Sequence, residues 1–561
     1  MEQTFQIVDI LSDDITFKDK RFVITLYGIN QKNERIVCHV LKYCPYYFIK
    51  IPNDWSSSDG EKLFKTICKS NKKLLNSVKS YEINISKDFY GFYWDEKNKK
   101  QKLFNYLKIN FYNLSDMKKS IQEVKKFYNT KDNVINYSHL KDWWSVDKTY
   151  INDSNLYESN LHPIIRFIHD TKIDPTGWVK ITPSNKCKFI TDGFEEISLE
   201  TSCSYKDIQK YDCTNTSEYI IASFDIECDS SHGDFPLAKK DFKKLSSELF
   251  DSIRNLYFKS PQTYRDIIIK NLTEKIEKFI KYSFDLLKDL DSLELKFCDI
   301  NKTFTINNNK PSIDSIKDIS KNIYENKEFK ENIFIEKLKS KDRDNIINCI
   351  NNIMNTLSDN DNNFIKVKGD EIIQIGTVFH KYGEQKPFEK HILVIGPEKN
   401  MEDKDICDSL DHIDIVVDRC KNEKELLLKW SYKIKEYDPD FITGYNIFGF
   451  DFKYIKERVD YYFKCHKRCN NYNHHGDCEK RIFYDMGKLS SSYKYNEHKS
   501  KTCKYNEQKL SSSALGDNDL SYITMDGRIL FDIMKEVQKG HSLESYKLDT
   551  VASHFMRGKL K

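Results

Sequence analysis

Six residues, Tyr219-Ile220-Ile221-Ala222-Ser223-Phe224, run without a charge and stop at Asp225-Ile226-Glu227. A run this short and apolar suits a strand buried on both faces, as in sheets covered by helices. Side chains alternate along a strand, so Asp225 and Glu227 leave on one face and Ile226 on the other. Two adjacent carboxylates at a buried strand end repel each other, and desolvation adds to the cost. A divalent cation removes the conflict, and an all-oxygen ligand set suits Mg²⁺ or Mn²⁺. A solvated Glu227 with Asp225 capping a turn accounts for the doublet equally simply.

The chain beyond Glu227 keeps the same rhythm. Residues 370–379 read as a second strand, Lys424 to Tyr437 as an amphipathic helix, and Phe441 to Tyr445 as a strand ending near Gly444. A further helix is predicted from about Asp451 to Tyr462. Strands alternating with helices argue an α/β domain. Asp451 stands where that helix begins, and free backbone N–H groups there favour a carboxylate as a cap. Brought beside Asp225 and Glu227, it would instead complete a metal site.

Residues 1–215 read as a separate α+β module. Its strands are predicted at 22–28, 36–41 and 46–51 and its helices at Glu61–Lys69 and Ser115–Phe127. The α/β domain is expected over 216–561, with two insertions. Residues 238–368 are rich in Lys, Asn and Asp and should form a mostly helical appendage outside the sheet. Residues 463–522 are polar and basic, and are expected on the surface.

Composition narrows the function classes. The 561 residues carry 90 Lys+Arg against 86 Asp+Glu, a net +4 that excludes binding by bulk charge while leaving room for a local basic groove. An aromatic content of 13% with only 18 Gly and 11 Pro excludes a wholly disordered chain. An acidic N-terminus and the lack of any long uncharged apolar run point to an intracellular protein, nuclear or cytoplasmic, neither secreted nor membrane-bound. The 15 cysteines are then expected as thiols. Within the second insertion Cys465, Cys469, His474, His475 and Cys478 lie close together. Three Cys and one His, such as Cys465, Cys469, Cys478 and His474, would fill a tetrahedral Zn²⁺ shell. The spacing matches no standard finger, so thiols in a polar loop are the alternative. The basic aromatic run Lys102–Lys108 suits contact with single strands, or a strand with a solvated charged face.

Ser223-Phe224-Asp225-Ile226-Glu227-Cys228 resembles the first exonuclease motif of the family B DNA polymerases, notably the delta-like enzymes of eukaryotes and large DNA viruses. Asp438 through Asp451, ending Asn446-Ile447-Phe448-Gly449-Phe450-Asp451, resembles the second. Tyr157-Glu158-Ser159-Asn160, Arg166-Phe167, Asp170-Thr171, Tyr90-Gly91-Phe92, Asp526-Gly527-Arg528 and Ser545 to Ala552 resemble further family segments in the right order.

The resemblance implies a ribonuclease-H-like α/β exonuclease domain behind an α+β N-terminal domain. It implies 3′→5′ proofreading in DNA replication by two-metal phosphodiester hydrolysis. Asp225, Glu227 and Asp451 would hold two Mg²⁺ (or Mn²⁺) ions, with Phe224 and Asn446 contacting DNA. The implied partners are a single-stranded 3′ end, primer-template DNA and a sliding clamp. The family's third exonuclease motif and its polymerase palm are expected after Lys561, on a separate C-terminal polypeptide. Two rival readings are a catalytically weak DNA-binding subunit and a free-standing nuclease that takes a carboxylate from Asp485 or Asp549.

Overall fold

The computed structural model describes residues 2–16, 20–69, 71–88, 94–95, 99–129, 156–183, 198–230, 234–396, 415–463, 479–488, 505–512 and 516–556. Cys465, Cys469, His474, His475, Cys478 and Tyr90-Gly91-Phe92 lie outside them.

The N-terminal residues build two sheets. Gln3–Thr16, Lys20–Asn30 and Arg35–Leu41 form an antiparallel meander within a six-stranded sheet that also takes in Trp178–Ile181, Ser198–Ser204 and Ile208–Lys210. Tyr46–Ile51 and Phe104–Phe111 are central to a four-stranded antiparallel sheet. Tyr47, Ile49 and Ile51 alternate onto its buried face, against Leu63 and Phe64 of the helix Ser57–Ile67. Ser56 and Asp59 form a capping box that starts this helix.

The second sheet carries the chemistry. Its strands are β1 (Ile220–Cys228), β2 (Ile372–Lys381), β3 (Glu389–Ile395), β4 (Val416–Cys420), β5 (Phe441–Gly444) and β6 (Ile529–Asp532), in spatial order β4-β3-β2-β1-β5-β6. β2 runs antiparallel to β1 and β3, whereas β1, β5 and β6 run parallel. β4 pairs parallel with β3, so five strands run one way and β2 alone runs against them, which makes the mixed α/β, ribonuclease-H-like sheet. Helix α1 (Glu423–Tyr437) starts at Asn422, whose side chain accepts from Glu425 N–H at 3.0 Å, and ends at Asp438 in the left-handed region, just before Pro439. Its Leu426, Leu427, Trp430 and Ile434 pack on the sheet. Helix α2 (Asp451–Tyr462) buries Phe452, Ile455 and Val459 in the same core.

Between β1 and β2 the chain leaves the sheet and folds on itself. Helices Lys243–Lys259, Leu272–Ser283, Ile313–Glu325 and Ser340–Met354 close around Phe250, Ile253, Phe279, Ile316 and Ile350, a core separate from that of the sheet. The two ends of this insertion lie side by side. Asp370 N–H donates to Leu237 O and Leu237 N–H to Asp370 Oδ2, both at 2.9 Å. Gly369 is needed there, because a Cβ would stand 2.0 Å from Ala238 O.

The second polar stretch departs from the expected surface position. Phe483, Tyr484 and Met486 are buried in the sheet's own core, joined by Ile523 and Met525 at the end of the hairpin Tyr505–Ser512/Gly516–Ile523. Ser521 N–H donates to Phe448 O at 2.8 Å and ties that hairpin to the turn before α2. Few apolar residues sit among many polar ones here, so composition averaged over the stretch hides them. No described helix is long and apolar enough to cross a membrane.

Candidate active site

β1 alternates as its sequence requires. Phe224 and Ile226 are buried, while Asp225 and Glu227 are exposed on the opposite face. The Phe224 ring lies 5.0 Å from Trp430 and 5.4 Å from Phe452. At 4% exposure its side chain belongs to the core.

Beside β1, β5 runs into a tight turn that delivers Asp451. Ser223 pairs with Thr443, and Gly444 comes next, where a Cβ would meet Phe224 O at 2.6 Å. The glycine therefore lets the turn close against the strand bearing Asp225. Asn446 takes φ 61, and its carbonyl accepts from Gly449 and Phe450 N–H at 3.0 Å. Asp532, at the end of β6, fastens the turn by accepting from Asn446 N–H and Phe448 N–H, each at 3.0 Å. Asn446 thus has a clear structural role in shaping the turn. Asp532 escaped the sequence reading, although an Asp just before a helix, here Ile533–Gly540, is a recognisable cap.

Asp451 is the first residue of α2 and caps nothing with its side chain. It is 2% exposed, and its carboxyl lies against that of Asp225. Burial, the Asp225 charge and a hydrogen bond shared with Asp225 push its pKa up to about 7, while the Asp451 and Ile226 backbone N–H groups oppose the rise. Asp451 Oδ1 is buried without a hydrogen-bond partner. A carboxyl pair holding one proton near neutrality, with an orphaned oxygen, fits a divalent cation that would replace that proton. Glu227 shares the open face of Asp225. Among the described residues no three His, Cys, Asp or Glu side chains are gathered into a preformed metal site, so Glu227 does not close on the pair. Neither do Asp485, which faces Lys435 at 3.9 Å, or the exposed Asp549.

A second charged cluster braces β5 from its other end. Asp440 Oδ1 meets Lys488 Nζ at 2.8 Å, and Asp440 Oδ2 meets Arg35 at 3.2 Å and Ile220 N–H at 2.8 Å. Arg528 reaches Asp438 at 2.6 Å. Burial pushes Asp440 up, but Lys488 and Arg35 outweigh it and its pKa falls below the usual range. Through Arg35 the N-terminal sheet is tied to β5.

Residues 154–246 and 295–551 match the family described as DNA polymerase family B, exonuclease domain, which is more than half of the chain. The chain belongs to the family B DNA polymerases. It is 30% identical to the DNA polymerase of Pyramimonas orientalis virus in an alignment 578 positions long, which covers 99% of this chain and 42% of the relative. To the DNA polymerase of Phaeocystis pouchetii virus it is 26% identical, over 97% of this chain and 52% of the relative. The DNA polymerase delta catalytic subunit of Drosophila melanogaster is 26% identical over 35% of this chain and 14% of its own length. The chain therefore spans about half, or less, of the relatives it matches. The family B exonuclease match includes β1, the Asp438–Asp451 segment and Asp532, the elements that assemble the carboxyl pair.

Proposed function

We propose that this chain carries the 3′→5′ proofreading exonuclease of a replicative DNA polymerase. The observation that carries the reading is the buried carboxyl of Asp451, with an unpartnered oxygen, brought against Asp225 of the neighbouring strand. Asp225 and Asp451 would hold the divalent cation, and Glu227 would join from the same strand face on binding. Mg²⁺ or Mn²⁺ there supplies water activation and neutralises charge on the phosphodiester, with a two-ion site the form that suits in-line displacement. The chain's own part is positional: Gly444 and Asp532 set the turn, the turn sets Asp451, and the tilted Phe224–Trp430 ring contact fixes the strand that bears Asp225.

The substrate is then a single-stranded DNA 3′ end, delivered from primer-template DNA inside the cell, at a nuclear or cytoplasmic site of replication. Nucleotide addition, a palm on a C-terminal polymerase polypeptide and a sliding clamp belong to the same reading. The second reading is a catalytically weak DNA-binding subunit, favoured by a cluster of two carboxylates rather than three. Digestion of an end-labelled single strand with Mg²⁺ separates them. The exonuclease reading expects 3′→5′ products and a loss of about 10²-fold or more in Asp225→Ala. Retained DNA binding with no Asp225-dependent cutting, with and without an added C-terminal polypeptide, would establish the second.

A further inference from the structure

A cleft of about 460 Å³ lies where the helical insertion joins the exonuclease sheet. One wall is the segment just beyond β1, from Asp234 to Glu248, and the other combines residues 301–304, the start of the helix Ser340–Met354 and Val367–Lys368. Two phenyl rings stand open in it. Phe235 is 70% exposed and Phe304 is 49% exposed. Phe304 is fixed by its carbonyl, which accepts from Lys368 N–H at 2.8 Å. Of the Lys and Arg residues that line the cleft, Lys240, Lys244, Lys302, Arg343 and Lys368 are already paired with Asp370, Asp234, Asp285, Asp251 and Glu371. Lys239 and Lys243 are exposed on its rim.

The cleft adjoins the segment that delivers Asp451. The Phe235 ring meets that of Phe450 edge-on at 5.6 Å, and Phe450 immediately precedes Asp451. The insertion also leaves from the end of β1 that bears Glu227: Ile372 pairs with Cys228, and Asp229 N–H donates to Glu371 O at 2.8 Å. Open aromatic rings set among cationic side chains are the chemistry that holds single strands, with bases stacking and phosphates meeting Lys.

We propose that the root of the helical insertion is a binding track for single-stranded DNA on its way to Asp225 and Asp451, with bases stacking on Phe235 and Phe304 and phosphates on Lys239 and Lys243. The inference rests on the exonuclease reading and assigns the insertion a part in substrate capture. The exposed Lys239 and Lys243 on the rim favour a polyanion over a neutral apolar peptide, which the same rings would otherwise accept.

The test uses the 561-residue chain carrying Asp225→Ala, in EDTA so that nothing is cut, and a fluorescent oligo(dT) of about 16 nucleotides, the upper range of one such site. Phe304→Ala should weaken binding about tenfold or more. Lys239→Glu with Lys243→Glu, both on exposed side chains, should flatten the dependence of log affinity on log salt by about 0.7 per lysine. Affinity within about twofold of the parent in both variants, with an unchanged salt slope, overturns the track and leaves the cleft to a peptide. Hydrolysis by the chain with Asp225 intact is read separately. A chain that cuts, yet binds oligo(dT) alike with and without Phe304, overturns the track alone. A chain that does not cut with or without an added C-terminal polypeptide, yet loses affinity on Phe304→Ala, supports the track and overturns the exonuclease reading.

Discussion

Asp451 and Asp225 come from different elements, the first residue of α2 and the end of β1, and the Asp225 charge acts on the Asp451 carboxyl in a site where Asp451 is almost fully buried. Burial raises the Asp451 pKa most, and the Asp225 charge raises it further. Removing either should change how the site responds to protons and to cations.

In metal-free protein Asp451 takes up a proton near pH 7, whereas its ordinary value is 3.8. The folded state binds that proton more tightly than the unfolded chain, so its contribution to stability is full below about 3.8 and is lost as pH rises through about 7. Asp451→Asn removes the titration and should raise Tm in EDTA at mildly alkaline pH, by a free energy on the order of a few kcal/mol. Added Mg²⁺ should raise the Tm of the parent and not that of the variant. Thermal melts across pH, with and without Mg²⁺, check both. Equal Mg²⁺ shifts in the two proteins would remove Asp451 from the metal site.

Gly444 sits where β5 comes closest to β1. An alanine Cβ would stand 2.5 Å from Ile447 Cγ2 and 2.6 Å from Phe224 O. The backbone oxygen cannot yield without moving β1, so Gly444→Ala should cost about 1–3 kcal/mol. Activity should fall further than stability explains, because the same displacement parts Asp451 from Asp225. The check is hydrolysis at a temperature well below the variant's Tm; normal rates there would show that the turn tolerates the shift.

How much of this was legible in the chain depends on how local the cause is. The burial alternation of Phe224-Asp225-Ile226-Glu227 follows from strand geometry, and α1 starts within a residue of its expected place because Asn422 and Pro439 punctuate it. The identity of Asp225 and Asp451 as a pair was readable only through their shared position at strand ends and through family resemblance. Asp532 was not, since its contacts with the turn reach back 86 residues to Asn446 and 84 to Phe448, and depend on β6 lying beside β5. Lys488 was hidden for a similar reason. It stands in a polar stretch, yet its side chain is 3% exposed between Asp438 and Asp440, a placement set by tertiary contacts. The cleft at the insertion root joins residues near 235, 304 and 368, and no local pattern brings those together.

The Asp440 cluster gives a prediction about acid. Its pKa is depressed, so its contribution is present above the ordinary value of 3.8 and is lost as pH falls through the lower folded value. Asp440→Ala removes the closest partner of buried Lys488, and such a break costs about 3–5 kcal/mol. Arg35→Ala leaves Lys488 on Asp440 and takes away a partly exposed group, so about 1 kcal/mol is expected. Urea titrations at neutral pH rank the two. Equal losses would mean that the tie to the N-terminal sheet, rather than Lys488, dominates the cluster.

The helical insertion has its own core and leaves the sheet through two strands of chain held together by the Leu237–Asp370 hydrogen bonds. Replacing residues 243–366 by a short Gly/Ser linker should therefore leave β1 and β2 in register. No residue of the sheet's core lies in the excised span. The shortened chain is expected to unfold cooperatively with the Tm of the exonuclease domain little changed, and to keep Asp225-dependent cutting of a short single strand at saturating concentration. Its apparent KM for longer strands should rise about tenfold or more, because the Phe304 side of the cleft is gone while the carboxyl pair remains. A collapse of kcat with KM unchanged would instead show that the insertion shapes the carboxyl site itself.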